Sequence, residues 1–388
     1  MTFRLLQYCR LCDSASLQKV RAFGEVPLAN DLREHPTKVP LTLMRCAQCG
    51  LYQLHEVVAE EALFPPGYVY RSGASSMNKE AFAALAADAA TRTCLTSCHA
   101  VLDIGCNDGS LLEAFLPYTQ NTFGVDPAAP MHGTHVFVQQ PWGDQAWAAL
   151  GQLAFHVITA TNVWAHLDNL HAAMDTVKRA LAPEGVFVVQ APWVRDLLQQ
   201  CYYDTIYHEH RSYLGLAQMQ HLCAFHGLVV VDVAYLPRLH GGSLRYLIKH
   251  APAAPSPNVT LVNALEATLP SPGVFVVQVA AHQDALRAAF PKRDTWAYGA
   301  TAKGATLLSL CGLGEDILAA VDSTPEKQGK FFCGAPIVSE EFAQSENEPE
   351  AFVLTAWNWE EPILAKLRAQ GFHGEVLVPF PVPRKVVL

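Results

Sequence analysis

A short segment dense in acid/base side chains lies at residues 202–213, with the sequence YYDTIYHEHRSY. His208, Glu209 and His210 follow one another in it, directly after Tyr207. Adjacent residues point in different directions, so one metal ion does not readily take all three as ligands. Proton transfer needs only one imidazole with a pKa near neutral and an orienting group. From this segment alone, two interpretations stay open: a proton-transfer site, or a polar loop with one structural histidine.

Two CxxC pairs near the start of the chain predict a structural zinc site. Cys9 and Cys12 form the first pair, and Cys46 and Cys49 form the second. Four thiolates from two such turns close a tetrahedral zinc site and leave no open position for catalysis. The gap of 33 residues between the pairs is longer than the usual ribbon spacing. Two unrelated surface pairs, or one redox dithiol at a helix N-terminus, are the alternatives.

The stretch VLDIGCNDGSLLEAF at 101–115 has the pattern of a strand, a glycine-containing turn and a helix. Gly105 and Gly109 let the backbone approach a ligand closely, and the helix N-terminus favours polar or anionic groups. The turn lacks the G-x-G-x-x-G spacing that packs a dinucleotide pyrophosphate. About 20 residues later, Asp126 ends a second strand, where an acidic residue accepts hydrogen bonds from ribose hydroxyls.

The elements that would position these residues alternate between strands and helices. The strands FHVITAT and GVFVVQAP flank the helix LHAAMDTVKRAL, and similar alternation resumes after the Pro/Ala-rich segment APAAPSPN. Such alternation indicates βαβ units and a parallel sheet, hence an α/β fold. We predict a small cysteine-bearing domain at 1–75, a Rossmann-like central domain at 76–250 and a second Rossmann-like α/β domain at 251–388.

Composition narrows the class of protein. Of the 388 residues, 51% are hydrophobic and 16% are charged, as in a core-forming globular chain. The net charge is −9 and no Lys/Arg run tracks a phosphate backbone, so we expect no nucleic-acid partner. The first residues, MTFRLLQYCRLC, lack an apolar signal core, and no stretch of 18 apolar residues occurs. We therefore expect a cytoplasmic protein with no membrane partner.

The glycine turn, its flanking strands and Asp126 together resemble a class I S-adenosylmethionine-dependent methyltransferase. In that resemblance Asp103 faces the methionine amino group or a water beside it, and Asp126 holds the ribose. An ordinary strand turn without a cofactor, or a site for NAD, is the alternative. The residues that the resemblance assigns to the cofactor are Asp103, Gly105, Asn107, Gly109, Asp126 and Asn162.

The whole chain resembles the three-domain C-methyltransferases of deoxysugar pathways, which add a branch methyl at C3 of nucleotide-linked 4-keto sugars. The resemblance rests on the CxxC pairs and on YVYRSG, LDIGCNDG, NVWAHLD, YDTIYHEH, GGSLR, YGATAKGATLL, DSTPEKQGK and WNW. The segments IYHEH, GGSLR and AKG are much more specific than the glycine turn. The implied cofactors are S-adenosylmethionine and a structural zinc ion.

The resemblance also implies roles for individual residues. His210 would be the general base that removes the C3 proton, and Tyr207 and Glu209 would hold the sugar and steady the imidazole. His166 and Tyr70 would line the same pocket, although His166 as a helix cap and Tyr70 as a packing residue of the zinc lobe stay open. His208 would be a structural neighbour or a participant.

Three further residues would hold the substrate between the central and C-terminal domains. The resemblance assigns Gly242, Arg245 and Lys303 to a nucleotide-diphosphate sugar, with Lys303 as a cation for the diphosphate. A purely structural C-terminal lobe is the alternative for these positions. An O- or N-methyltransferase and a catalytically silent nucleotide-sugar-binding protein are the rival functions, and we expect a monomer or a homodimer.

Overall fold

The structure, a computed structural model, describes residues 3–65, 68–69, 71–74, 76–128, 133–343 and 349–388. The N-terminal part is mostly antiparallel sheet. Strands β2, β3 and β4 pair in order, and β1 pairs with β5. Its elements are β1 (Phe3–Leu5), β2 (Leu17–Pro27), β3 (Lys38–Cys46), β4 (Tyr52–Leu54), β5 (Glu56–Val58) and α1 (Glu60–Leu63).

The central part alternates helices and strands as the sequence predicts, so the α/β fold is confirmed. The predicted strand FHVITAT is observed over the same residues, 155–161. Its elements are α2 (Ser76–Thr93), β6 (Val101–Ile104), α3 (Ser110–Phe115), β7 (Thr122–Val125), β8 (Val136–Val138), α4 (Asp144–Ala149), β9 (Phe155–Thr161), α5 (Leu170–Ala180), β10 (Leu181–Pro192), α6 (Val194–Gln199), β11 (Ser212–Tyr213), α7 (Leu216–Phe225), β12 (Leu228–Leu236) and β13 (Ser243–His250).

The central sheet has seven strands in the order β12-β13-β10-β9-β6-β7-β8. Strands β10, β9, β6, β7 and β8 pair in parallel, and β13 is antiparallel to both of its neighbours. The strands β6, β9 and β10 are buried on both faces, as helices on each side of a parallel sheet require. The strand order reverses between β6 and β9, which makes their carboxyl ends the switch point where doubly wound sheets bind ligands.

The C-terminal part contains a second seven-stranded sheet, in the order β16-β17-β15-β14-β18-β19-β20. Five inner strands are parallel and the two edge strands are antiparallel. Its elements are α8 (Pro257–Glu266), α9 (Pro272–Ala289), β14 (Thr295–Tyr298), α10 (Ala302–Cys311), β15 (Ala320–Val321), β16 (Phe331–Phe332), β17 (Ala335–Val338), α11 (Glu340–Ala343), β18 (Ala351–Leu354), α12 (Glu360–Ala369), β19 (Glu375–Val378) and β20 (Arg384–Val387).

The three parts are interlocked. Strand β11, which directly follows the histidine segment, adds an edge strand to the N-terminal sheet by pairing with β4. Arg21 of β2 donates hydrogen bonds to Val276 and Gln283 of α9 in the C-terminal part. The bounds 1–75, 76–250 and 251–388 stay a prediction. No helix in the described ranges has the length and apolarity needed to cross a membrane.

Candidate active site

The glycine turn lies at the switch point of the central sheet, directly after β6. Gly105 has φ +70° and its missing side chain leaves room for Val163, because a Cβ there would come within 2.1 Å of Val163 Cγ2. Asn107 and Gly109 also have positive φ, at 50° and 83°. The loop after β9, which carries Asn162, packs against this turn through Val163, so the two predicted cofactor loops lie side by side.

Carboxylates surround this turn. The Asp103 carboxylate accepts a hydrogen bond from Thr159 Oγ1 at 2.6 Å inside the sheet. Asp126 braces the turn by accepting from the backbone N–H groups of Asn107, at 3.0 Å, and Ala128, at 2.8 Å. Burial raises the pKa of Asp103 to about 7, and the charges of Asp126 and Asp108 add to that rise.

This donor set fits S-adenosylmethionine, which carries a sulfonium and an amino group. The Asp126 carboxylate directly follows β7 and lies beside the turn, where an acidic residue accepts hydrogen bonds from ribose hydroxyls. The crowded negative charge near Asp103 favours a cationic ligand. The assignment of the six cofactor residues to individual atoms of the cofactor stays a prediction.

A segment that the sequence reasoning left without a role clamps the glycine turn. The Asp108 carboxylate accepts from Ser72 Oγ at 2.9 Å and from the Gly73 N–H at 2.8 Å, and Asn107 Oδ1 accepts from the Ser72 N–H at 3.0 Å. A Cβ on Gly73 would come within 2.0 Å of Ser110 Oγ. The only sequence signal was the YVYRSG match itself. Tyr70, predicted to line the pocket, lies outside the described residues.

The imidazole of His210 has a defined tautomer. Nδ1 lies 2.8 Å from the Thr205 carbonyl oxygen, which only accepts, so Nδ1 carries the proton. Nε2 therefore has a lone pair, and the Tyr207 hydroxyl, 3.0 Å away, donates to it. Burial lowers the pKa of His210 well below 6.5, and the charge of His166 lowers it further. The ring is a neutral base whose lone pair, at Nε2, accepts from the Tyr207 hydroxyl.

His166 lies beside His210, with 5.1 Å between the ring centroids. Its other face stacks on Phe64 of the N-terminal part at 5.8 Å. Burial lowers the pKa of His166 to about 4, so this ring is neutral as well. The helix that follows is capped by Asn169, whose side chain accepts from the Ala172 N–H at 2.9 Å. The helix-cap alternative for His166 is therefore wrong.

Glu209 does not steady the imidazole of His210, which corrects the role that the resemblance implied. Its carboxylate accepts from Asn30 Nδ2 at 2.7 Å and from the Tyr68 hydroxyl at 2.8 Å. Residues 207–210 form a turn, which is closed by the His210 N–H donating to the Tyr207 carbonyl oxygen at 2.9 Å. In this turn Glu209 contacts the N-terminal part, whereas His210 lies beside His166 of the central part. Burial raises the pKa of Glu209 to about 7. The Thr205 carbonyl orients the imidazole instead.

His208 is a structural neighbour. Its Nε2 lies 3.1 Å from the Pro40 carbonyl oxygen of β3, to which it donates. Burial lowers its pKa, so it is a neutral side chain wedged against the N-terminal sheet. His208 and Glu209 thus both form hydrogen bonds to the N-terminal part, which carries the zinc site. Of the three residues, His210 is the one that lies beside the central site.

Lys303 reaches the seam between the central and C-terminal parts. It lies in the first turn of α10, where Thr301 Oγ1 caps the helix by accepting from the Gly304 N–H at 3.0 Å. Lys303 Nζ donates to the His240 carbonyl oxygen at 2.7 Å. His240 Nε2 in turn accepts from Asn162 Nδ2 at 2.8 Å. The predicted cofactor loop and the predicted substrate lysine are therefore joined through one residue that the sequence reasoning missed.

The other two predicted substrate residues have contacts within the central part. A Cβ on Gly242, whose φ is +107°, would come within 1.9 Å of Asp196 Oδ2. The Arg245 guanidinium donates to Gln190 Oε1 at 3.0 and 3.2 Å, inside the sheet. Neither contact reaches Lys303. The glycine that approaches the C-terminal domain is Gly241, where a Cβ would meet the Trp357 ring at 3.3 Å.

The four predicted zinc ligands converge. Their sulfur atoms all lie within 4.8 Å of one another, with Cys9 Sγ 3.5 Å from Cys49 Sγ and Cys12 Sγ 3.6 Å from Cys46 Sγ. A tetrahedral zinc ion with bonds of about 2.3 Å separates its sulfurs by about 3.8 Å, whereas a disulfide needs about 2.0 Å. The Leu11 N–H points at Cys9 Sγ at 3.5 Å. The cluster fits zinc.

Three family models match consecutive parts of the chain. They are described as "Putative zinc binding domain" over residues 9–64, "Methyltransferase domain" over 75–233 and "C-methyltransferase C-terminal domain" over 238–381. Together with the site they define a methyltransferase that uses S-adenosylmethionine and carries a structural zinc ion. The predicted enzyme class and both predicted cofactors are confirmed.

A curated relative narrows the class to a family. The C-methyltransferase NovU from Streptomyces niveus is 31% identical to this chain over an alignment 414 positions long, which covers 99% of this chain and 97% of that protein. The chain belongs to this family of C-methyltransferases with an N-terminal zinc-binding domain. The resemblance stated from the sequence is confirmed.

Solved structures of methyltransferases resemble about half of the chain. A methyltransferase from Burkholderia thailandensis, solved with 1,6-didemethyltoxoflavin and S-adenosylhomocysteine, is 17% identical, with a TM-score of 0.38 over 53% of this chain and 97% of that one. An S-adenosylmethionine-dependent methyltransferase from Clostridium acetobutylicum is 16% identical, with a TM-score of 0.36 over 45% and 92%. Likenesses of this strength add nothing to the family assignment.

Proposed function

We propose that the enzyme methylates C3 of a nucleotide-linked 4-keto deoxysugar, and that His210 is the general base. The observation that carries this proposal is the tautomer of His210: Nδ1 donates to a backbone carbonyl, so the basic lone pair is at Nε2, where only a rotatable hydroxyl donates to it among the described contacts. The His210 ring is buried, the His166 ring lies 5.1 Å from it, and the charge of Lys303 acts on it. A neutral imidazole with a fixed orientation is what proton abstraction requires.

The reaction follows from the acidity of the sugar. A 4-keto group acidifies the proton on C3, and Nε2 of His210 removes that proton. The electron pair of the C3–H bond becomes the C3–C4 double bond of an enolate, and the negative charge moves to the C4 oxygen. The Tyr207 hydroxyl, which donates to Nε2 in the free enzyme, has to turn toward the sugar when the proton is taken. S-adenosylmethionine, when bound, supplies the methyl group that the C3 carbanion takes.

A nucleotide sugar suits the seam between the central and C-terminal sheets. Helix α10 begins directly after β14, and the C-terminal strand order reverses between β14 and β18. Switch points of this kind bind phosphate-bearing ligands at helix N-termini. This placement supports a diphosphate group near the N-terminus of α10, with the sugar toward His210.

An O- or N-methyltransferase is the alternative that also uses a base. It differs in the atom that gains the methyl group. The named activity of NovU, C-methylation, favours carbon. The same named activity also argues against a catalytically silent binding protein.

The test is product analysis. The zinc-loaded enzyme is incubated with S-adenosylmethionine and a panel of nucleotide-linked 4-keto-6-deoxy sugars, and the products are analysed by mass spectrometry and NMR. We expect a 14-dalton gain on at least one sugar, with the new methyl bonded to C3. A methyl on oxygen or nitrogen, or no transfer to any member of the panel, would sink the proposal.

A further inference from the structure

Lys303 is a buried cation with few partners. Among the described residues its ammonium donates only to the His240 carbonyl oxygen, and its remaining contact of note is the Trp357 ring, 5.5 Å from Nζ. An ammonium has three donors, and burying one without full hydrogen bonding is costly. The structure therefore places a cation with unfilled hydrogen-bonding capacity at the seam between the central and C-terminal domains.

The groups around this cation include hydrogen-bond acceptors without partners, and no described carboxylate forms an ion pair with the ammonium. Asp204 is fully buried and interacts electrostatically with Lys303, but its Oδ2 is bound by Trp357 Nε1 at 2.7 Å and its Oδ1 has no hydrogen-bond partner among the described residues. Asn162 Oδ1 is likewise unpartnered in the described part of the chain. Asp204 acts electrostatically on the ammonium, and Asn162 contacts the same His240 that Lys303 contacts. Unsatisfied polar atoms on these two neighbours indicate a place for a polar ligand.

The same cation lies next to the proposed base. Asp204 immediately precedes Thr205, whose carbonyl fixes the imidazole of His210. Burial is the main cause of the lowered pKa of His210, and the positive charge of Lys303 lowers that pKa further. His240 is neutral, because burial lowers its pKa to about 4. His166, the other ring beside His210, is neutral because burial lowers its pKa to about 4. Lys303 is therefore a positive charge that acts on the imidazole of His210, the ring that takes the proton.

We infer that Lys303 binds the C4 oxygen of the sugar and stabilises the negative charge that forms there when His210 removes the C3 proton. This inference rests on the proposed function and replaces the role of Lys303 as a diphosphate ligand. The proton goes to Nε2 of His210, the electron pair goes through C3–C4 to oxygen, and the ammonium stays charged throughout. A preorganised cation in a water-excluded site is the largest single source of such stabilisation. His240 and Asp204 hold the ammonium in place.

The test measures proton removal separately from methyl transfer. The zinc-loaded enzyme is incubated in deuterium oxide with a sugar that it methylates, with S-adenosylhomocysteine in place of the methyl donor, and deuterium at C3 is followed by NMR. Lys303→Met roughly keeps the volume and removes the charge, and it leaves the buried Asp204 without that cation, so the fold of the variant has to be checked. Thermal unfolding and calorimetric binding of S-adenosylhomocysteine check that the variant is folded. Lys366→Met, on the exposed Lys366–Glu340 contact of the same domain, is the control.

We expect the maximal exchange rate of Lys303→Met to fall by about 10²–10³-fold, the loss seen when one oxyanion donor is removed. The sugar concentration at half-maximal rate should change far less. Lys303→Ala should recover exchange when small alkylammonium ions are added. Exchange at the wild-type maximal rate with only a weaker apparent affinity would overturn the inference and return Lys303 to the diphosphate. That outcome leaves the proposed function intact, whereas a wild-type enzyme without exchange contradicts the proposed function itself.

Discussion

Individual residues in this site have their states set by burial and by backbone partners. The Thr205 carbonyl selects the tautomer of His210, and the low-dielectric surroundings keep the ring neutral. Glu209, one position earlier, is buried against Asn30 and Tyr68 and has its pKa raised to about 7. Two adjacent titratable groups are thus shifted in opposite directions, in the way that separates acid and base roles in enzymes.

The pH dependence of exchange at C3 follows from the state of His210. A base works only when it is neutral, so activity is lost as the pH falls through its pKa in the folded enzyme. Because that pKa lies well below 6.5, we expect the exchange rate to be near its plateau at pH 6.5. The groups around the imidazole are the Thr205 carbonyl, the Tyr207 phenol, His166, His240 and Lys303. An exchange rate that is half-maximal at pH 6.5 shows an ordinary imidazole and contradicts this account.

At the scale of elements, the sequence predicted the central sheet well and the role of some motif residues poorly. The strand FHVITAT and the helix LHAAMDTVKRAL were readable because apolar residues recur at the right period. The hydrogen-bond partners of Glu209 could not be predicted from the sequence, because Asn30 lies 179 positions away and only the fold brings the two residues together. The glycine turn was recognisable from its spacing, whereas its clamp by Ser72 and Gly73 needed the structure.

One hexapeptide shows why local sequence cannot decide the element. GVFVVQ occurs at 185–190, within strand β10, and again at 273–278, within helix α9. In the second copy Ser271 caps the helix by accepting from the Val274 N–H, Pro272 occupies the first turn, and a helix-forming run follows. In the first copy the chain lies between two strands of the sheet. Capping and tertiary pairing override the β propensity of the shared residues.

The clamp on the glycine turn makes a prediction about cofactor binding. Gly73→Ala places a Cβ 2.0 Å from Ser110 Oγ and 3.1 Å from Asp108 Oδ2, so the Ser110 hydroxyl has to rotate and the contact of the segment with Asp108 is disturbed. We expect the affinity for S-adenosylmethionine, measured by calorimetry, to fall by roughly tenfold, the effect of losing one charge-assisted hydrogen bond. Gly143→Ala is the matched control, because no atom lies within 4 Å of its added Cβ. Equal affinities for the two variants would show that the clamp does not support the cofactor loop.

Across the whole molecule, the zinc-binding domain is tied to the active site. Arg10, inside the first CxxC turn, donates to the carbonyls of Leu54 and Arg211, and its Nε lies 3.4 Å from Asp168 Oδ1. Arg211 directly follows His210, and Asp168 follows the turn that carries His166. The zinc turn therefore contacts both segments that bring the two histidines together.

Loss of zinc should disturb the base more than the cofactor site. Zinc affinity in such domains is folding energy. We expect chelation, or Cys46→Ser, to lower the unfolding temperature and to abolish methyl transfer, while calorimetric binding of S-adenosylmethionine changes by less than about tenfold. Cys98→Ser is the control, since Cys98 is exposed and outside the cluster. An unchanged unfolding temperature after confirmed zinc removal contradicts a structural role for the metal.

The central claim is that His210 removes the C3 proton, and deuterium exchange with His210→Asn tests it most directly. Asn lacks the basic lone pair of Nε2 but retains a polar side chain of similar reach. With S-adenosylhomocysteine bound, the wild-type enzyme should exchange deuterium into C3 of its sugar. His210→Asn should exchange at least about 10²-fold more slowly, the usual contribution of a general base, with cofactor affinity retained. Exchange by His210→Asn near the wild-type rate contradicts the account, because another group would then be the base.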